Sequence, residues 1–266
     1  MRRLFPVTDS TAPTLGPDDR EWSLDELADA YAYPEASSVG AGAAVWLRAN
    51  MVSSLDGAAQ HEGASQPLSS ASDMRIFGVL RALSDVVIAG AETVRREGYR
   101  PARAREAFAA RRAAAGQRPA PAIAVVSASL DLDFEAPLFT DALVPTLVLT
   151  GAAAPAERLR AAQKEGVEVV VAGEGAGVDP VRAVRALAER GMTRQLTEGG
   201  PRLLGQFVAS GVLDELCLTV APLLTAGGAQ RIAGGPEVAV PERFALASVL
   251  EEGGFLFTRY HRYHRI

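Results

Sequence analysis

Short apolar runs alternate with segments of helical periodicity over most of this chain. Residues 85–89 form one such run, apolar after its first residue, which is typical of a strand covered on both faces. The other predicted strands of this part are 45–52, 122–126, 146–149, 167–171, 193–196 and 215–220, and the predicted helices are 72–83, 155–164, 181–190 and 202–208. This alternation predicts a three-layer α/β fold with a mostly parallel sheet.

The C-terminal part departs from that alternation. Segments 244–249 and 255–263 have the composition of two strands, and Gly253-Gly254 between them is a pair typical of a tight turn. Two strands joined by so short a turn run antiparallel. We therefore expect a mostly parallel sheet that ends in antiparallel C-terminal strands.

The N-terminal part shows little of the same periodicity. Residues 1–22 are rich in Pro, Thr and Asp and are predicted to be loosely structured, as is the connection 37–42. Ser23 and Glu26 have the spacing of a capping box and predict one short helix. The expected organisation is an N-terminal extension, 1–44, followed by one domain, 45–266.

Composition excludes several classes of protein. The chain has 266 residues, of which 48% are hydrophobic, so it can bury a substantial core. A net charge of −5 argues against a general nucleic-acid binder. Cys217 is the single cysteine, which excludes an intrachain disulfide and a cysteine-rich metal centre, and we expect no bound metal. Because no apolar run is long enough for a signal peptide or a membrane span, we expect a cytoplasmic protein without a membrane partner.

The junction between the predicted strand 193–196 and the helix 202–208 carries the clearest candidate chemistry. Two glycines, Gly199 and Gly200, allow a tight turn and a close approach of the backbone to a ligand. Pro201 suits the first turn of a helix, where unpaired N–H groups attract anions. A pyrophosphate-binding loop and a plain connecting turn fit these residues equally well.

Other predicted strands also end in glycine or hydroxyl residues. Gly90 and Thr93 follow the strand 85–89, while Ser127 and Thr150 follow two later strands. Each is typical of a turn or a helix cap when it is taken singly. Since parallel strands bind ligands at their carboxyl ends, the set together favours a nucleotide site.

Asp56, in the Asp-Gly pair that follows the first strand, has two interpretations. Asp-Gly is a standard turn signal, and spacing alone favours this interpretation. The alternative places the carboxylate at the mouth of the sheet, where burial would raise its pKa and make it a better general acid.

Three segments together resemble the reductase domain of riboflavin biosynthesis, of the free-standing actinobacterial type. They are 50–57 (NMVSSLDG), 81–94 (RALSDVVIAGAETV) and 197–205 (TEGGPRLLG), the last followed by 212–216 and Ala221-Pro222. The resemblance covers about residues 45–262. It implies a dihydrofolate-reductase-like fold, NADPH as the hydride donor, a small-molecule substrate and a homodimer.

The resemblance also implies roles for individual residues. One group would line the cofactor or hold its phosphates and ribose: Gly90, Thr93, Glu97, Glu198, Gly199, Gly200, Pro201, Leu203 and Leu204. The hydroxyls at the strand ends, Ser127 and Thr150, join this group. Asn50, Ser53 and Asp56 would face the nicotinamide and the substrate, with Asp56 delivering a proton or orienting the acceptor ring. Beyond these implied roles, Arg100 or Arg103 is a candidate to meet a phosphate, and Tyr99 is instead a candidate to stack on a pterin-like ring.

Departures from the family pattern leave the substrate open. Ala58 and Ala59 stand where members that handle a ribitol phosphate have a basic residue. A single cysteine and no histidine before His61 exclude the zinc deaminase of bifunctional members. The first hypothesis is reduction of a pyrimidine of the 5-amino-6-ribosylaminouracil phosphate type. The alternatives are reduction of a dihydropterin or dihydrofolate, and a non-catalytic NADPH-binding sensor or partner protein.

Two further features have plain structural interpretations. Arginines interrupt an alanine-rich segment at 103, 105, 111, 112 and 118, which predicts a solvent-exposed helix face. Cys217 lies in an apolar strand, and we expect a packed core thiol there.

Overall fold

A computed structural model describes residues 1–6, 20–34 and 45–263 of the chain. Ten strands of this part form one sheet: β1 (Arg2–Phe5), β2 (Trp46–Ser53), β3 (Val86–Gly90), β4 (Ala122–Val126), β5 (Leu147–Thr150), β6 (Glu168–Val171), β7 (Arg194–Gly199), β8 (Glu215–Val220), β9 (Phe244–Glu252) and β10 (Phe255–Arg262). The helices described are α1 (Leu24–Ala30), α2 (Ala71–Leu83), α3 (Ala91–Arg96), α4 (Ala109–Ala114), α5 (Pro137–Thr140), α6 (Ala156–Lys164), α7 (Pro180–Ala188) and α8 (Pro201–Ala209).

The strand order of the sheet is β1-β9-β10-β8-β2-β7-β3-β4-β5-β6. All neighbours from β8 to β6 in that order are parallel, and β10, β9 and β1 continue the sheet antiparallel. The chain runs outward from β3 to β6 and then returns to insert β7 between β2 and β3. The order therefore reverses around β2, β7 and β3, and such a reversal is where α/β sheets bind ligands.

Both faces of the sheet are covered. Strand β3 shows this directly, because Val87 packs into the core that contains Val79 of α2, while Ile88 packs into the core that contains Leu204 and Phe207 of α8. Successive side chains of one strand thus enter opposite cores, which explains the continuous apolar runs. The three-layer α/β fold with antiparallel C-terminal strands is confirmed.

The secondary structure largely agrees with the predictions, with boundary shifts of one to three residues. Strand β7 is longer than predicted because the chain stays paired with β3 as far as Gly199, across a register shift. The capping box at the start of α1 is confirmed, since Ser23 Oγ accepts from Glu26 N and the Glu26 carboxylate accepts from Ser23 N. Residues 37–42 lie outside the described part, and the division into 1–44 and 45–266 stays a prediction.

Two predictions about peripheral segments are wrong. Residues 2–5 are not loosely structured, because they form β1 and pair with β9 at the edge of the sheet. Arg112 of the alanine-rich segment is not solvent-exposed: its guanidinium is buried and donates to the carbonyls of Ala82, Ser84 and Arg118. Cys217 is buried, as predicted. Within the described residues, every helix is too short or too polar to cross a bilayer.

Candidate active site

A cleft of about 440 Å³ lies where the strand order reverses, at the carboxyl ends of β2 and β7. Its walls come from one side of α2 along most of its length, from α3 and the loop that follows it, and from the loop between β2 and α2. These elements meet here because each begins or ends at the same edge of the parallel sheet. The position agrees with the expectation from the strand ends.

The end of β2 forms part of the lining. Asn50, Met51 and Val52 all contribute atoms to the lining, and Asn50 and Val52 share one face of the strand. The side-chain amide of Asn50 is half-buried and makes no hydrogen bond within the described part of the chain. A half-buried amide that has no hydrogen-bond partner in the protein can donate a hydrogen bond to a bound ring or accept one from it.

Asp73, in the first turn of α2, places a buried carboxylate in the cleft wall. Its backbone N–H is capped by Ser70 Oγ at 3.1 Å. Its carboxylate accepts from Thr219 Oγ1 of β8 at 2.6 Å and from Ser69 Oγ at 2.5 Å. The sequence analysis did not identify Asp73, because a Ser-x-x-Asp spacing at a helix start is ordinary capping chemistry.

Arg81 and Glu198 form a bidentate ion pair in the same cleft. Arg81 Nε and Nη2 lie 2.6 Å from Glu198 Oε1 and Oε2, and the Tyr99 hydroxyl also donates to Glu198. The guanidinium lies 4.4 Å from the centre of the Phe77 ring. Burial raises the pKa of Tyr99. Burial alone would lower the pKa of Arg81, but the negative charge of Glu198 outweighs that effect and holds the pKa of Arg81 above its ordinary value.

This ion pair changes the interpretation of two predicted residues. The Glu198 side chain is only 4% exposed, and its oxygens face Arg81 and Tyr99, so it is poorly suited to hold phosphates. Tyr99 has its hydroxyl on Glu198, and its ring centre lies 5.1 Å from the Arg81 guanidinium. Both residues line the cleft, but the contacts that they make are with the protein.

The glycine turn lies on the rim of the cleft, where a cis peptide bond joins Gly199 to Gly200. Gly199 has φ +82°, which side-chain-bearing residues rarely adopt. A Cβ at Gly200 would lie 2.7 Å from Thr93 Oγ1, so a side chain there would force the Thr93 hydroxyl or the turn to move. The N-terminus of α8 and the Thr93 hydroxyl are thereby brought together, and both can donate hydrogen bonds to an anion.

Three further charged residues lie around the opening. Arg96 and Arg100 line the cleft and are exposed, and Arg96 Nη1 is 3.6 Å from Glu92 Oε1. Glu97 Oε1 accepts from both Ser65 N and Ser65 Oγ at 3.2 Å. Glu97 therefore ties the loop between β2 and α2 to the end of α3, and the two arginines supply positive charge.

The cleft gathers about half of the residues that the sequence analysis nominated. Those that line it are Asn50, Thr93, Glu97, Tyr99, Arg100, Glu198, Gly200 and Pro201. Gly90 and Gly199 adjoin it through backbone, since a Cβ at Gly90 would lie 3.8 Å from Gly199 O. The remaining nominated residues do not line it, and the physical reasons differ.

Five of those residues are buried elsewhere. Leu203 and Leu204 point into the core beneath α8, so their side chains are unavailable to a cofactor. Ser127 Oγ accepts from Leu130 N at 3.0 Å, which closes the turn after β4. Thr150 is fully buried at the end of β5, and Ser53 is 7% exposed at the end of β2.

The expectation that burial raises the pKa of Asp56 is wrong. Asp56 is exposed, and a hydrogen bond from Ser54 Oγ, aided by the backbone N–H groups of Ala226 and Thr225, lowers its pKa to about 2. It ties the loop after β2 to the loop after β8. An ionised carboxylate of this kind accepts protons poorly and donates none at neutral pH, and a catalytic role for Asp56 stays a prediction.

The cleft and its turn belong to a known domain type. A model of the RibD C-terminal domain matches residues 45–253, which is well over half of the chain. The chain belongs to the RibD C-terminal domain family. It is 30% identical over 179 residues to a 2,5-diamino-6-ribosylamino-4(3H)-pyrimidinone 5′-phosphate reductase of Archaeoglobus fulgidus, covering 67% of this chain and 80% of the relative. It is 32% identical over 148 residues to the protein of the same name from Aquifex aeolicus, covering 56% and 61%.

Solved structures of the RibD C-terminal domain type have the same fold. A pyrimidine reductase-like protein of Corynebacterium diphtheriae superposes with a TM-score of 0.77 at 26% identity, covering 90% of this chain and 99% of that one. RibD of Acinetobacter baumannii superposes with a TM-score of 0.62 at 21% identity, covering 86% and 60%. The family resemblance found in the three sequence segments is confirmed.

Proposed function

We propose that this protein is an NADPH-dependent reductase of a riboflavin-pathway pyrimidine phosphate. The observation that carries the proposal is the meeting of the glycine turn before α8 with Thr93 at the edge of the cleft. The two relatives named as pyrimidinone phosphate reductases support the substrate class. The cleft volume of about 440 Å³ is in the range of small-molecule sites.

The residues of this rim fit a phosphate-bearing cofactor. Thr93 offers a hydroxyl, and the first turn of α8 offers backbone N–H groups. Glu198, the carboxylate next to the turn, is neutralised by Arg81, so it does not oppose an anion there. A reduced nicotinamide bound in this cleft supplies the hydride.

The chain's own part in the reaction is to position the acceptor and exclude water. Asn50 and Val52 provide the floor, while Phe77 and Tyr99 provide apolar walls. Holding two reactants in near-attack geometry supplies a large share of the acceleration in such reactions. Other members of the family bind the substrate phosphate with a basic residue where this chain has Ala58 and Ala59. In this chain, Arg96 and Arg100 bind that phosphate instead.

We further propose a homodimer, assembled through the open face of the antiparallel strands. Leu246 of β9 is 38% exposed, and Leu216 and Leu218 of β8 lie half-buried on the same face of the sheet. Light scattering of the purified protein tests this proposal, and a mass of one chain at micromolar concentration contradicts it.

The test of the function is oxidation of NADPH, followed optically, with each candidate acceptor in turn. We expect turnover with a ribosylaminopyrimidine phosphate and little with dihydrofolate, and faster turnover with NADPH than with NADH. Turnover with dihydrofolate alone would replace the proposed substrate class. Tight binding of NADPH without turnover on any acceptor would favour a non-catalytic sensor.

A further inference from the structure

The connection between β8 and β9, residues 221–243, is long for a segment that contains no helix or strand. Connections of more than about 15 residues without secondary structure are uncommon in compact domains and are often part of a functional site. None of the described residues that line the cleft comes from this connection. It is nonetheless bonded to two elements that do line the cleft, so it acts on the site through them.

Two of its contacts lie only four residues apart. The N–H of Ala59 donates to Gln230 O at 2.8 Å, and the N–H of Gly234 donates to Pro201 O at 3.0 Å. Ala59 and Pro201 both line the cleft, the first on the loop between β2 and α2 and the second on the first turn of α8. Residues 230–234, which we call the bridging segment, therefore join these two elements through backbone hydrogen bonds.

Gly205 of α8 makes room for the bridging segment. A Cβ at Gly205 would overlap the carbonyl oxygen of Gly234 and would lie 2.7 Å from its carbonyl carbon. These are backbone atoms, so the bridging segment itself would have to withdraw. Gly205 lies one turn after Pro201 on the same face of α8, which places the close approach beside the hydrogen bond from Gly234.

The start of the same connection is held independently of α8. Leu55 N donates to Leu223 O at 2.8 Å. The Asp56 carboxylate accepts from the N–H groups of Thr225 and Ala226. If the bridging segment withdraws from α8, these bonds still hold the loop between β2 and α2, whereas the first turn of α8 loses a partner.

We propose that Gly205 is a positioning residue, which sets the first turn of α8 for cofactor binding by admitting the bridging segment. The N–H groups that would meet the cofactor phosphates belong to the end of α8 that Gly234 holds by its first carbonyl. A turn that is held from outside the cleft loses less freedom when the cofactor binds, which preserves affinity. The inference rests on the proposed function and adds to it a residue outside the lining of the cleft.

The test compares Gly205→Ala with the wild-type protein and with Gly228→Ala, in the same connection, where a Cβ meets nothing within 4 Å. In calorimetric titration with NADPH, we expect about tenfold weaker binding to Gly205→Ala, the size of one lost hydrogen bond, and unchanged binding to Gly228→Ala. Binding of a ribosylaminopyrimidine 5′-phosphate alone is expected to change little in either variant. Alanine favours a helix more than glycine does, so α8 itself is not weakened.

Hydrogen exchange of the ligand-free proteins, measured by mass spectrometry, adds a measurement that needs no cofactor. Peptides covering 199–204 and 228–236 are expected to exchange faster in Gly205→Ala and unchanged in Gly228→Ala. If Gly205→Ala does not fold, Gly234→Pro takes its place, because proline removes the N–H on Pro201 O from the other side of the contact.

The outcomes separate this inference from the proposed function. If the wild type binds NADPH without reducing any acceptor, and Gly205→Ala binds it more weakly, the reductase proposal fails and the inference stands. Unchanged NADPH affinity or unchanged exchange in Gly205→Ala overturns the inference alone, and no binding of NADPH by the wild type overturns both. A lower melting temperature with equal losses of affinity for both ligands would show that Gly205 serves only folding, which also overturns the inference.

Discussion

The polar side chains at the two ends of the strand pair β2 and β8 differ in whether they have charged partners in the protein. At the start of these strands, Glu215 accepts from Arg48 at 3.0 Å, from Arg259 at 2.5 Å and from Trp46 at 2.7 Å. Near their other end, Asn50 has no partner among the described residues, and Asp73 is held against Thr219 without a cation. The same face of the same two strands thus changes from a sealed cluster to an open cleft.

The sealed cluster is closed by α1 and the residues that follow it. Arg259 donates to the carbonyls of Ala30 and Ala32, and the Arg48 guanidinium lies 4.1 Å from the centre of the Tyr33 ring. Among the described residues, none gives the cleft a comparable cover over Asn50. Arg48 Nε and Nη1 also have no hydrogen-bond partner, but they are closed off from solvent, whereas the amide of Asn50 faces a cleft that a ligand can enter.

The largest effect is expected from Glu215→Gln in the sealed cluster. Removing the carboxylate leaves Arg48 and Arg259 buried without their counter-charge, which costs about 3–5 kcal/mol in comparable cases. Urea unfolding at neutral pH measures the loss. Glu189→Gln, which removes one partner of the exposed pair with Arg185, is the control and is expected to change stability by less than about 0.5 kcal/mol.

The pH dependence of the same variant gives a second measurement. Burial alone would raise the pKa of Glu215, but Arg48 and Arg259 hold it at about 2. A folded-state pKa below the unfolded value of about 4.3 stabilises the protein above pH 4.3, and that contribution is lost as the pH falls toward 2. The difference in stability between wild type and variant is therefore expected to narrow from pH 5 to pH 2. A constant difference would mean that the charge of Glu215 contributes little.

Arg81→Met tests whether the ion pair in the cleft is structural, functional or both. It leaves Glu198 nearly buried with only the Tyr99 hydroxyl as a partner. We expect a loss of about 2 kcal/mol in stability, because Arg81 is 24% exposed and water replaces part of its interaction. We also expect NADPH affinity to fall at least tenfold, since an unpaired carboxylate then faces the phosphates.

The comparison with Arg81→Lys sharpens that prediction. Lysine keeps the charge but cannot form the two parallel hydrogen bonds, so partial recovery of NADPH affinity without full recovery of stability is expected. Unchanged affinity in Arg81→Met would mean that this pair, like the cluster around Glu215, only holds the fold together.

Gly200→Ala tests the close approach of the turn to α3. The new Cβ would lie 2.7 Å from Thr93 Oγ1, so either the hydroxyl or the turn must move. We expect about tenfold weaker NADPH binding, or about 1.4 kcal/mol, in a protein that still folds. Gly228→Ala, where a Cβ meets nothing within 4 Å, is the matched control for the loss of glycine. Equal affinities of the two variants would contradict the phosphate-turn assignment.

Most of the fold was predictable because its strands are local patterns. The apolar residues of a run such as 85–89 are enough to predict a strand that is buried on both faces, without knowledge of any distant residue. Strand β1 was missed because Arg2-Arg3-Leu4-Phe5 has no such pattern, and its strand conformation comes from pairing with β9, about 250 positions away. Arg112 was missed for a similar reason, since two of its three acceptors, the carbonyls of Ala82 and Ser84, lie at the end of α2.

In the candidate site, too, local features could be predicted from the sequence and contacts between distant residues could not. The glycine turn is a single segment, so the sequence could nominate it whole. The partnerships of Asp73 with Thr219 and of Arg81 with Glu198 join residues 146 and 117 positions apart, and nothing in either local sequence predicts them. Asp56 was nominated by its place at a strand end, but whether a carboxylate there is buried or exposed depends on the path of the loop after β8.

Asp56→Asn is expected to have the smallest effect, because the Asp56 carboxylate lies outside both the cluster around Glu215 and the lining of the cleft. It accepts from Ser54 Oγ at 2.5 Å and from the N–H groups of Thr225 and Ala226 at 3.2 and 2.7 Å. With a pKa of about 2, its stabilising contribution is present above pH 4 and lost as the pH falls to 2, so the melting temperatures of wild type and variant should converge there.

Turnover of the same variant decides whether the cleft extends to this loop. If Asp56 only ties two loops together, Asn retains one acceptor oxygen, and kcat is expected to fall less than about tenfold along with the melting temperature. A fall of about 100-fold in kcat with an unchanged melting temperature and unchanged NADPH affinity would assign Asp56 to the chemistry, within the range of a lost general acid or base. The open region would then include an exposed carboxylate that becomes enclosed only when both ligands are bound.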